Sequence, residues 1–417
     1  MKKSYMRVLI VNTSDIDGGA ARAAYRLHKA LLNESIDSKM IVQFKKSDDY
    51  TVLGPQTKMQ KALCKLRPIL DNLPVKLYKN RTKTLFSPSW LRFSGIASKI
   101  NEINPDIVHL HWITGGMMSI EDINKIKAPV IWSLHDNWAF TGGCHYKWEC
   151  DNYKNNCGFC PRLGSNKEND LSRKVWNRKK RIFDVKKMTI VGLSRWIHKC
   201  SKDSCLLKSH ININLPNLID VNIFKPFDKQ KSRELWNLSS KKRLILFGAM
   251  GATSDIRKGF KELIRALELI KSDAIEFVVF GSSEPINAPD FRFKVNYLGH
   301  LHDDISLVTL YSAVDVMVVP SLQENLSNVI MESLSCATPV VAFNVGGNSD
   351  MIEHLKSGYL AKTFDSEDLA KGIDWIINNP KYEELCEHAR SKIIREFDSA
   401  IVTKKYIALY QDVLKSK

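Results

Sequence analysis

The sequence predicts an α/β protein built from two doubly wound, Rossmann-like domains. Short apolar segments alternate with longer amphipathic ones along the chain, and the short segments form two series. Segments that are apolar along nearly their whole length are typical of parallel strands covered by helices on both faces. At 417 residues the chain is also too long for one ordinary core, so two domains are expected.

Five strands are predicted in each series. The first series is MRVLIV, SKMIVQ, DIVHLH, VIWSLH and MTIVGLS, and the second is RLILFGA, EFVVFGS, VNYLGH, VMVVP and PVVAF. A segment with two prolines and a basic tail, 214–232, separates them and is predicted to be the linker. The predicted domains are 1–215, with a cysteine-rich insert at 141–165, and 241–390. A last helix within 391–417 is expected to pack back on the first domain.

The net charge of +17 calls for an acidic partner, such as nucleic acid, an anionic membrane or a phosphorylated substrate. Much of the excess lies in 58–83 and 173–187, where Lys and Arg alternate with apolar residues. These segments are either amphipathic membrane-binding surfaces or solvated basic faces. The first 15 residues lack the features of a secretory signal and predict a strand instead, so a cytoplasmic location is expected.

Two glycines follow the first predicted strand, at the start of the first predicted helix. Backbone N–H groups at Gly18 and Gly19 can approach a phosphate there, and the helix dipole favours negative charge. The loop lacks the GxGxxG spacing of dinucleotide-binding proteins. Asp15 and Asp17 in the same loop are predicted to cap the helix rather than to bind a metal.

Histidines stand at the ends of two predicted strands. His109 and His111 close DIVHLH, and His135 closes VIWSLH, with Asp136 beside it. Ligands of open parallel sheets bind beyond the carboxyl ends of the strands, which makes His111 and His135 candidate site residues. The alternative is that these are core histidines with satisfied hydrogen bonds.

Four cysteines crowd the insert, with the spacing C-x5-C-x6-C-x2-C. Four thiolates at this spacing could hold one structural zinc in a tetrahedral site, and the alternative is four free thiols. A disulfide framework is not expected in the cytoplasm. The predicted zinc ligands are Cys144, Cys150, Cys157 and Cys160.

Two adjacent cations, Arg257 and Lys258, are predicted to open a helix of the second domain. Positive charge at a helix start opposes the dipole unless an anion sits there, and a diphosphate would resolve the conflict. In the alternative interpretation, Asp255 caps the helix and pairs with one of the cations.

The stretch ENLSNVIMES places two glutamates eight residues apart around a predicted helix start. Glu324 falls in the loop, and the helix is predicted to begin at 325–327, where free N–H groups can hold a phosphate. Glu332, two turns on, can accept the paired hydroxyls of a ribose, and Glu324 can accept hydroxyls of a second sugar. A nucleotide-sugar would then span both acids. The alternative is an N-terminal helix acid and a solvated one.

Taken together, HLHW, SLHD, RKGF, NYLGH, ENLSNVIME and ATPVVAFNVGGNSDMI resemble the retaining glycosyltransferases of family 4, which have the GT-B fold. The resemblance covers almost the whole chain. The insert is similar to that of a subset near the colanic-acid, capsule and O-antigen glycosyltransferases. No catalytic role for the insert follows from the resemblance.

The resemblance implies transfer of a hexosyl-type sugar from a nucleotide diphosphate-sugar, with retention of configuration and without a divalent metal in catalysis. The site would lie in a cleft between the domains, and the product would be a surface polysaccharide such as lipopolysaccharide or capsule. By position, Arg257 and Lys258 would bind the diphosphate, Glu324 the transferred sugar, Glu332 the ribose, and the backbone amides of Asn325, Leu326 and Ser327 a phosphate. His111 or His135 would contact the sugar or the acceptor, and Gly346 and Gly347 would shape the cleft wall.

Acceptors in the resembling subset are polyprenyl-linked glycans at the inner face of the cytoplasmic membrane, so peripheral binding to an anionic membrane is expected. Two rival functions are a sugar-nucleotide 2-epimerase of related fold and a nucleic-acid-binding protein with a zinc knuckle. The second lacks a recognisable reader module, and no nucleic acid partner is expected.

Overall fold

The structure is a computed structural model that describes residues 6–92, 94–248, 251, 253–272, 274–284 and 290–416. The chain divides into two compact units. The first comprises Met1–Asn217 with Thr403–Lys417, and the second is Leu218–Val402. Each unit contains one parallel sheet with helices, so the predicted fold class is confirmed.

The first unit contains a seven-stranded sheet in the order β3-β2-β1-β4-β5-β6-β7 over its described residues, and every neighbouring pair is parallel. Its strands are β1 (Arg7–Ser14), β2 (Asp37–Phe44), β3 (Val52–Leu53), β4 (Ile107–Leu110), β5 (Val130–Leu134), β6 (Met188–Gly192) and β7 (Ile211–Asn214). Its helices are α1 (Gly19–Asn33), α2 (Lys58–Asp71), α3 (Leu73–Lys76), α4 (Ile96–Ile103), α5 (Ile120–Lys125), α6 (Leu171–Phe183) and α7 (Arg195–Asp203).

The second unit contains a six-stranded parallel sheet in the order β10-β9-β8-β11-β12-β13, again over the described residues. Its strands are β8 (Arg243–Gly248), β9 (Ile275–Phe280), β10 (Val295–Tyr297), β11 (Val316–Val319), β12 (Val340–Phe343) and β13 (Gly358–Ala361). Its helices are α8 (Lys229–Leu235), α9 (Phe260–Leu269), α10 (Asp304–Ala313), α11 (Asn328–Ser335), α12 (Asn348–Met351), α13 (Ser366–Ile377) and α14 (Tyr382–Phe397). The final helix, α15 (Ser399–Lys415), begins here and continues into the first unit.

Apolar runs place the predicted strands in the core. β5 and β6 are buried along their whole length, as are β9, β11 and β12. Side chains on both faces of such a strand leave water, which stabilises the strand by roughly 25 cal/mol per Å² of apolar surface. The strands that the sequence did not predict are β3, β7 and β13, and none of them is a long apolar run.

The second unit begins before the predicted boundary at 241 because the end of the linker packs on it. Arg233 in α8 donates hydrogen bonds to the carboxylate of Asp315 (2.7 Å) and to the carbonyl of Ala313 (2.8 Å). Asp315 is 1% exposed and also accepts from the backbone N–H of Leu244. A buried carboxylate is stable only when it is paired in this way, so α8 is part of this unit.

The segment predicted as one last helix is divided between α14 and α15, which are separated at Asp398. The part of α15 from Thr403 onward groups with the first unit. Within the described part of the chain, no helix combines the length and apolar character needed to cross a membrane.

Candidate active site

In the first unit, His111 and His135 lie just beyond the carboxyl ends of β4 and β5. Nδ1 of His111 is 2.8 Å from Nε2 of His135, so one imidazole donates a hydrogen bond to the other. His109 is different, because Tyr410 and Ser133 engage its two ring nitrogens at 2.8 and 2.9 Å. The structure therefore makes His109 a satisfied core histidine and brings the other two together.

Burial decides the charge of this pair. It lowers the pKa of His135 to about 4 and the pKa of His111 well below 6.5, with neighbouring histidines adding to the second effect. Both rings are therefore neutral near pH 7. Nε2 of His111 is buried and has no hydrogen-bond partner in the described structure, and the same holds for Oγ1 of Thr114. Buried polar atoms are normally satisfied, so these two atoms are open to a hydrogen bond from a ligand or a bound water.

Both orphaned atoms belong to residues that line a small pocket. Trp112, Trp132 and Trp138 contribute aromatic rings to its wall. The indole of Trp132 donates to the backbone carbonyl of His111 at 3.0 Å, which fixes the strand exit. A pocket with aromatic faces and neutral imidazoles suits a ligand that carries hydroxyl groups. The tryptophans were not predicted as site residues, although Trp112 directly follows His111 in HLHW.

The glycine turn is formed, and the two aspartates beside it contact the loop after β2. Helix α1 begins at Gly19, and Gly18 has φ +97°, a value that favours glycine, with no side-chain cap. The carboxylate of Asp15 instead accepts hydrogen bonds from the backbone N–H groups of Lys46 and Ser47. Asp17 pairs with the ammonium of Lys46 at 2.9 Å. The two aspartates thus hold the loop after β2.

In the second unit, Arg257 and Lys258 do not open the helix as predicted. They lie in a 3-10 turn, Ile256–Lys258, and α9 begins only after Gly259, whose φ of +69° breaks the helical path. Asp255 accepts the backbone N–H of Arg257 at 3.0 Å and pairs with its guanidinium. The alternative interpretation, an aspartate cap with one paired cation, therefore holds for Arg257.

Lys258 pairs with Glu324 across the loop that follows β11. Its ammonium is 3.0 Å from Oε2 of Glu324, and the other carboxylate oxygen accepts the backbone N–H of Asn325 at 3.2 Å. Burial by itself raises the pKa of Glu324, but the charges of Lys258 and Arg257 outweigh it and hold the pKa below its usual value. The sequence motifs RKGF and ENLSNVIME thus meet in one ion pair.

Helix α11 begins later than predicted, at Asn328, with Ser327 as its N-cap. The segment 325–327 is loop, because the backbone of Ser327 is extended (ψ 120°). Glu332 is 2% exposed and accepts a hydrogen bond from the hydroxyl of Tyr311 at 3.0 Å. It is therefore a buried helix acid, and the alternative of a solvated acid is wrong.

Two glycines hold the loop that carries Glu324. A methyl group on Gly346, which has φ +55°, would come within 1.7 Å of the Glu324 carbonyl oxygen. A methyl group on Gly259 would come within 1.8 Å of the Pro320 carbonyl oxygen. Both positions therefore need glycine, and their close approach fixes the loop from two sides. The sequence resemblance implied only that Gly346 shapes the wall of the cleft, and it gave no role to Gly346 in holding this loop.

The predicted zinc ligands are mostly buried. Cys144, Cys157 and Cys160 are between 6% and 8% exposed, and burial raises the pKa of each thiol. No three His, Cys, Asp or Glu side chains in the described ranges group closely enough to hold a metal ion. The structure gives the zinc site no support, and it stays a prediction from the sequence.

Comparison with known proteins shows which families and proteins this chain is similar to. Residues 241–379 match the family described as "Glycosyl transferases group 1". The chain is 27% identical over 218 residues to an N,N'-diacetylbacillosaminyl-diphospho-undecaprenol alpha-1,3-N-acetylgalactosaminyltransferase of Campylobacter jejuni, a match covering 51% of this chain and 55% of that one. It is 23% identical over 384 residues to a putative colanic acid biosynthesis glycosyl transferase of Escherichia coli, covering 87% and 88%. The chain spans about half the length of the first curated relatives it matches.

Solved structures share the fold over the whole chain. A sucrose-phosphate synthase from Thermosynechococcus elongatus aligns with a TM-score of 0.72 at 16% identity, over 99% of this chain and 100% of that one. An Anabaena protein crystallised with UDP-glucose aligns with a TM-score of 0.63, also at 16% identity and over 99% and 100%.

The two Rossmann-like units define the GT-B class of α/β proteins. The match to the glycosyl transferases group 1 family lies in the second of these units.

Proposed function

We propose that this protein is a retaining glycosyltransferase that moves a sugar from a nucleotide diphosphate-sugar to a glycan or polyprenyl-linked acceptor in surface polysaccharide biosynthesis. The observation that carries the proposal is the Lys258–Glu324 ion pair at 3.0 Å, set in a glycosyl transferases group 1 domain. Support also comes from the fold relative crystallised with UDP-glucose and from the relative described as acting on an undecaprenol-linked glycan.

In this proposal the second unit binds the donor. Lys258 and Arg257 leave their carboxylate partners for the diphosphate, whose oxygens they neutralise as the bond to the sugar breaks. Glu324, freed from Lys258, accepts hydroxyls of the transferred sugar. The buried Glu332 receives the ribose when Tyr311 gives up its hydrogen bond. The backbone N–H groups of 325–327 receive a phosphate, for which that of Asn325 leaves the Glu324 carboxylate.

The first unit would bind the sugar or the acceptor. The orphaned Nε2 of His111 is a ready partner for a hydroxyl, and His135 fixes that ring through its other nitrogen. The glycine turn at 18–19 offers backbone N–H groups near a helix start. In the reaction, the bond from the anomeric carbon to the diphosphate breaks, and a bond to the acceptor oxygen forms on the same face. The acceptor proton leaves with the nucleoside diphosphate or passes to solvent.

A donor screen tests this function. UDP-, GDP- and ADP-linked sugars are added in turn, and the one that raises the melting temperature most is the donor, because a ligand stabilises the state that binds it. Release of nucleoside diphosphate that requires a polyprenyl-linked glycan supports the transferase. Turnover of a sugar nucleotide without any acceptor would instead support the rival 2-epimerase.

We further propose that the protein binds the inner face of the cytoplasmic membrane through α2. Met59, Leu63 and Leu66 are 71%, 52% and 45% exposed and lie within about 60° of one another on the helix. Exposed Lys58, Lys61 and Lys65 lie on another face of α2, about 110° to 170° around the helix from the centre of this stripe. A helix with an apolar stripe and a separate basic face fits an anionic bilayer, where each cation near the surface adds about 1 kcal/mol of attraction.

The segment 173–187 does not share this character. Val175, Trp176 and Phe183 of α6 are buried, and Arg178 pairs with Glu121 at 2.6 Å. Most of its apolar residues belong to the core of the first unit, and Val185 is the one that is largely exposed, so this segment offers no apolar stripe like that of α2.

Flotation with anionic and neutral vesicles tests the membrane proposal. Wild-type protein should float with anionic vesicles only, and changing Lys58, Lys61 and Lys65 to Gln should abolish this. The matched control changes three exposed lysines of the second unit, Lys261, Lys271 and Lys371, to Gln and should float like wild type. Equal flotation of both triple variants would refute a role for α2.

A further inference from the structure

The cysteine-rich insert carries a histidine that the function proposed above does not use. His145 is fully buried, and both of its ring nitrogens are engaged. Nδ1 lies 2.6 Å from Oδ2 of Asp136, and Nε2 lies 2.8 Å from the hydroxyl oxygen of Ser87. The insert therefore reaches, through one imidazole, the aspartate that stands next to His135 in the chain.

Asp136 connects that imidazole to the pocket. The oxygen that faces His145 also accepts the indole N–H of Trp112 at 2.8 Å, and Oδ1 accepts the backbone N–H of Trp138 at 2.8 Å. Burial raises the pKa of Asp136, but His145 and the other donors outweigh it and keep the carboxylate ionised. Trp112, Asp136 and Trp138 all line the pocket of the candidate site.

The backbone of the insert holds His145 in place. Its N–H donates to the carbonyl of Leu85 at 3.0 Å, and its carbonyl accepts the N–H of Asn137 at 3.0 Å. The ring also packs against two pocket tryptophans, with centroids 5.4 Å from Trp112 and 6.4 Å from Trp138. Backbone and ring contacts together leave His145 one orientation.

The row Asp136–His145–Ser87 has the order of a hydrolase triad, but it is not placed to act as one. Ser87 is 5% exposed and His145 is 0% exposed, and neither lines the pocket. A nucleophile must reach its substrate, so the row does not attack a ligand. What it does reach is the wall of the pocket, through Asp136.

We propose that His145 is a positioning residue: it orients the Asp136 carboxylate, which holds the Trp112 indole and the turn after His135 in the geometry that binds the sugar or acceptor. The inference rests on the proposed function for its catalytic consequence, but not for the positioning itself. The insert would thus help to shape the candidate site through His145, and this role does not require a bound metal.

Two isosteric substitutions separate positioning from space filling. In His145→Asn, the side-chain NH2 stands near the place of Nδ1 and can still donate to Asp136. In His145→Gln, the NH2 stands near the place of Nε2 and reaches Ser87 alone. Both variants lose one hydrogen bond, so a purely structural role affects them alike. Ser87→Ala removes only the hydrogen bond between Nε2 of His145 and the Ser87 hydroxyl, so it is the matched control for the Asn variant.

The first readout is the indole N–H resonance of Trp112, assigned by its loss in Trp112→Phe. We expect it to keep its wild-type shift in the Asn variant and in Ser87→Ala, and to move in the Gln variant. The same shift in the Gln variant as in wild type would overturn the proposal. This readout needs no turnover, so it decides the positioning role even if the proposed function fails.

The second readout is release of UDP from UDP-glucose. The Gln variant should lose about tenfold to a hundredfold in kcat, as for a displaced binding group, and the Asn variant should stay within about threefold of wild type. Equal kcat in the two variants, at equal urea stability, would refute the catalytic consequence. If wild type released no nucleoside diphosphate from any UDP-, GDP- or ADP-sugar, that result would count against the proposed function instead.

Discussion

Nδ1 of His109 lies 2.8 Å from the hydroxyl oxygen of Tyr410, and this bond joins β4 to α15 across 301 residues of sequence. Both side chains are buried, and Ser133 engages the other nitrogen of the imidazole. The C-terminal helix therefore completes the polar network beneath the candidate site of the first unit. A ring held at both nitrogens has no capacity for a ligand, which leaves that task to His111 and His135.

Removing this hydroxyl should weaken the first unit. Tyr410→Phe leaves a buried imidazole nitrogen without its partner, which costs about 1–3 kcal/mol in the free energy of unfolding. Urea denaturation measures the change. Tyr50→Phe is the matched control, because Tyr50 is 90% exposed, and it should be neutral. Equal stability of Tyr410→Phe and wild type would show that the hydrogen bond contributes nothing.

Acid should destabilise the fold through the same histidine. Burial lowers the pKa of His109 to about 3, whereas the unfolded chain has the ordinary value of about 6.5. Between these values the unfolded state binds more protons, so stability is lost as the pH falls from 6.5 toward 3, by about 1.4 kcal/mol per pH unit for this group.

His109→Asn should therefore reduce the slope of unfolding free energy against pH in this window. The exposed His388→Asn is the control and should leave the slope unchanged. The comparison uses slopes, so a constant loss of stability in the variant does not affect it. A slope identical in all three proteins would contradict the assignment of a neutral buried imidazole.

Glu324→Gln should abolish transfer while the protein stays folded. The amide keeps the size of the side chain but loses the charge that pairs with Lys258 and that would hold hydroxyls of the transferred sugar. Nucleoside diphosphate release and thermal unfolding are measured together. Glu383→Gln, at an exposed position in α14, is the control. Wild-type turnover in Glu324→Gln would remove this residue from the mechanism.

Lys258→Ala should weaken binding of UDP by about 1.5–3 kcal/mol, as for a lost charged hydrogen bond, in titration calorimetry. Lys261→Ala, an exposed neighbour in α9, should bind like wild type. Lys258 also holds the pKa of Glu324 down, so that pKa should rise in the variant. Residual turnover should then fall off at a higher pH on the acid side than in wild type. Unchanged affinity would exclude a diphosphate contact at Lys258.

Metal content tests the zinc hypothesis. A four-thiolate site made by Cys144, Cys150, Cys157 and Cys160 would bring about one zinc per chain in freshly purified, reduced protein, and chelation would lower the stability of the first unit. Free thiols would leave no zinc and would react with a thiol reagent only on unfolding, because burial keeps three of them protonated. Cys205→Ser, outside the cluster, is the control.

Much of the fold follows from local pattern. Apolar runs such as RVLIV and VIWSL form β1 and β5 because a parallel strand buries both faces and admits only polar residues that find a hydrogen-bond partner. The same logic placed His111 and His135 at strand exits, and the structure confirms those positions. Helix starts were less predictable: α9 and α11 begin after Gly259 and Ser327, because turn geometry and side-chain pairing in the preceding loops decide where the helix can begin.

The sequence by itself determined the fold class and the motifs that carry charge. Tertiary structure alone decided that both ring nitrogens of His109 are hydrogen-bonded and that Lys258 is the cation that pairs with Glu324. It also decided that His145 contacts Asp136. The reason is physical: periodicity and propensity act between residues a few positions apart, whereas hydrogen bonds and ion pairs in a core join residues that only the folded chain brings within 3 Å of each other.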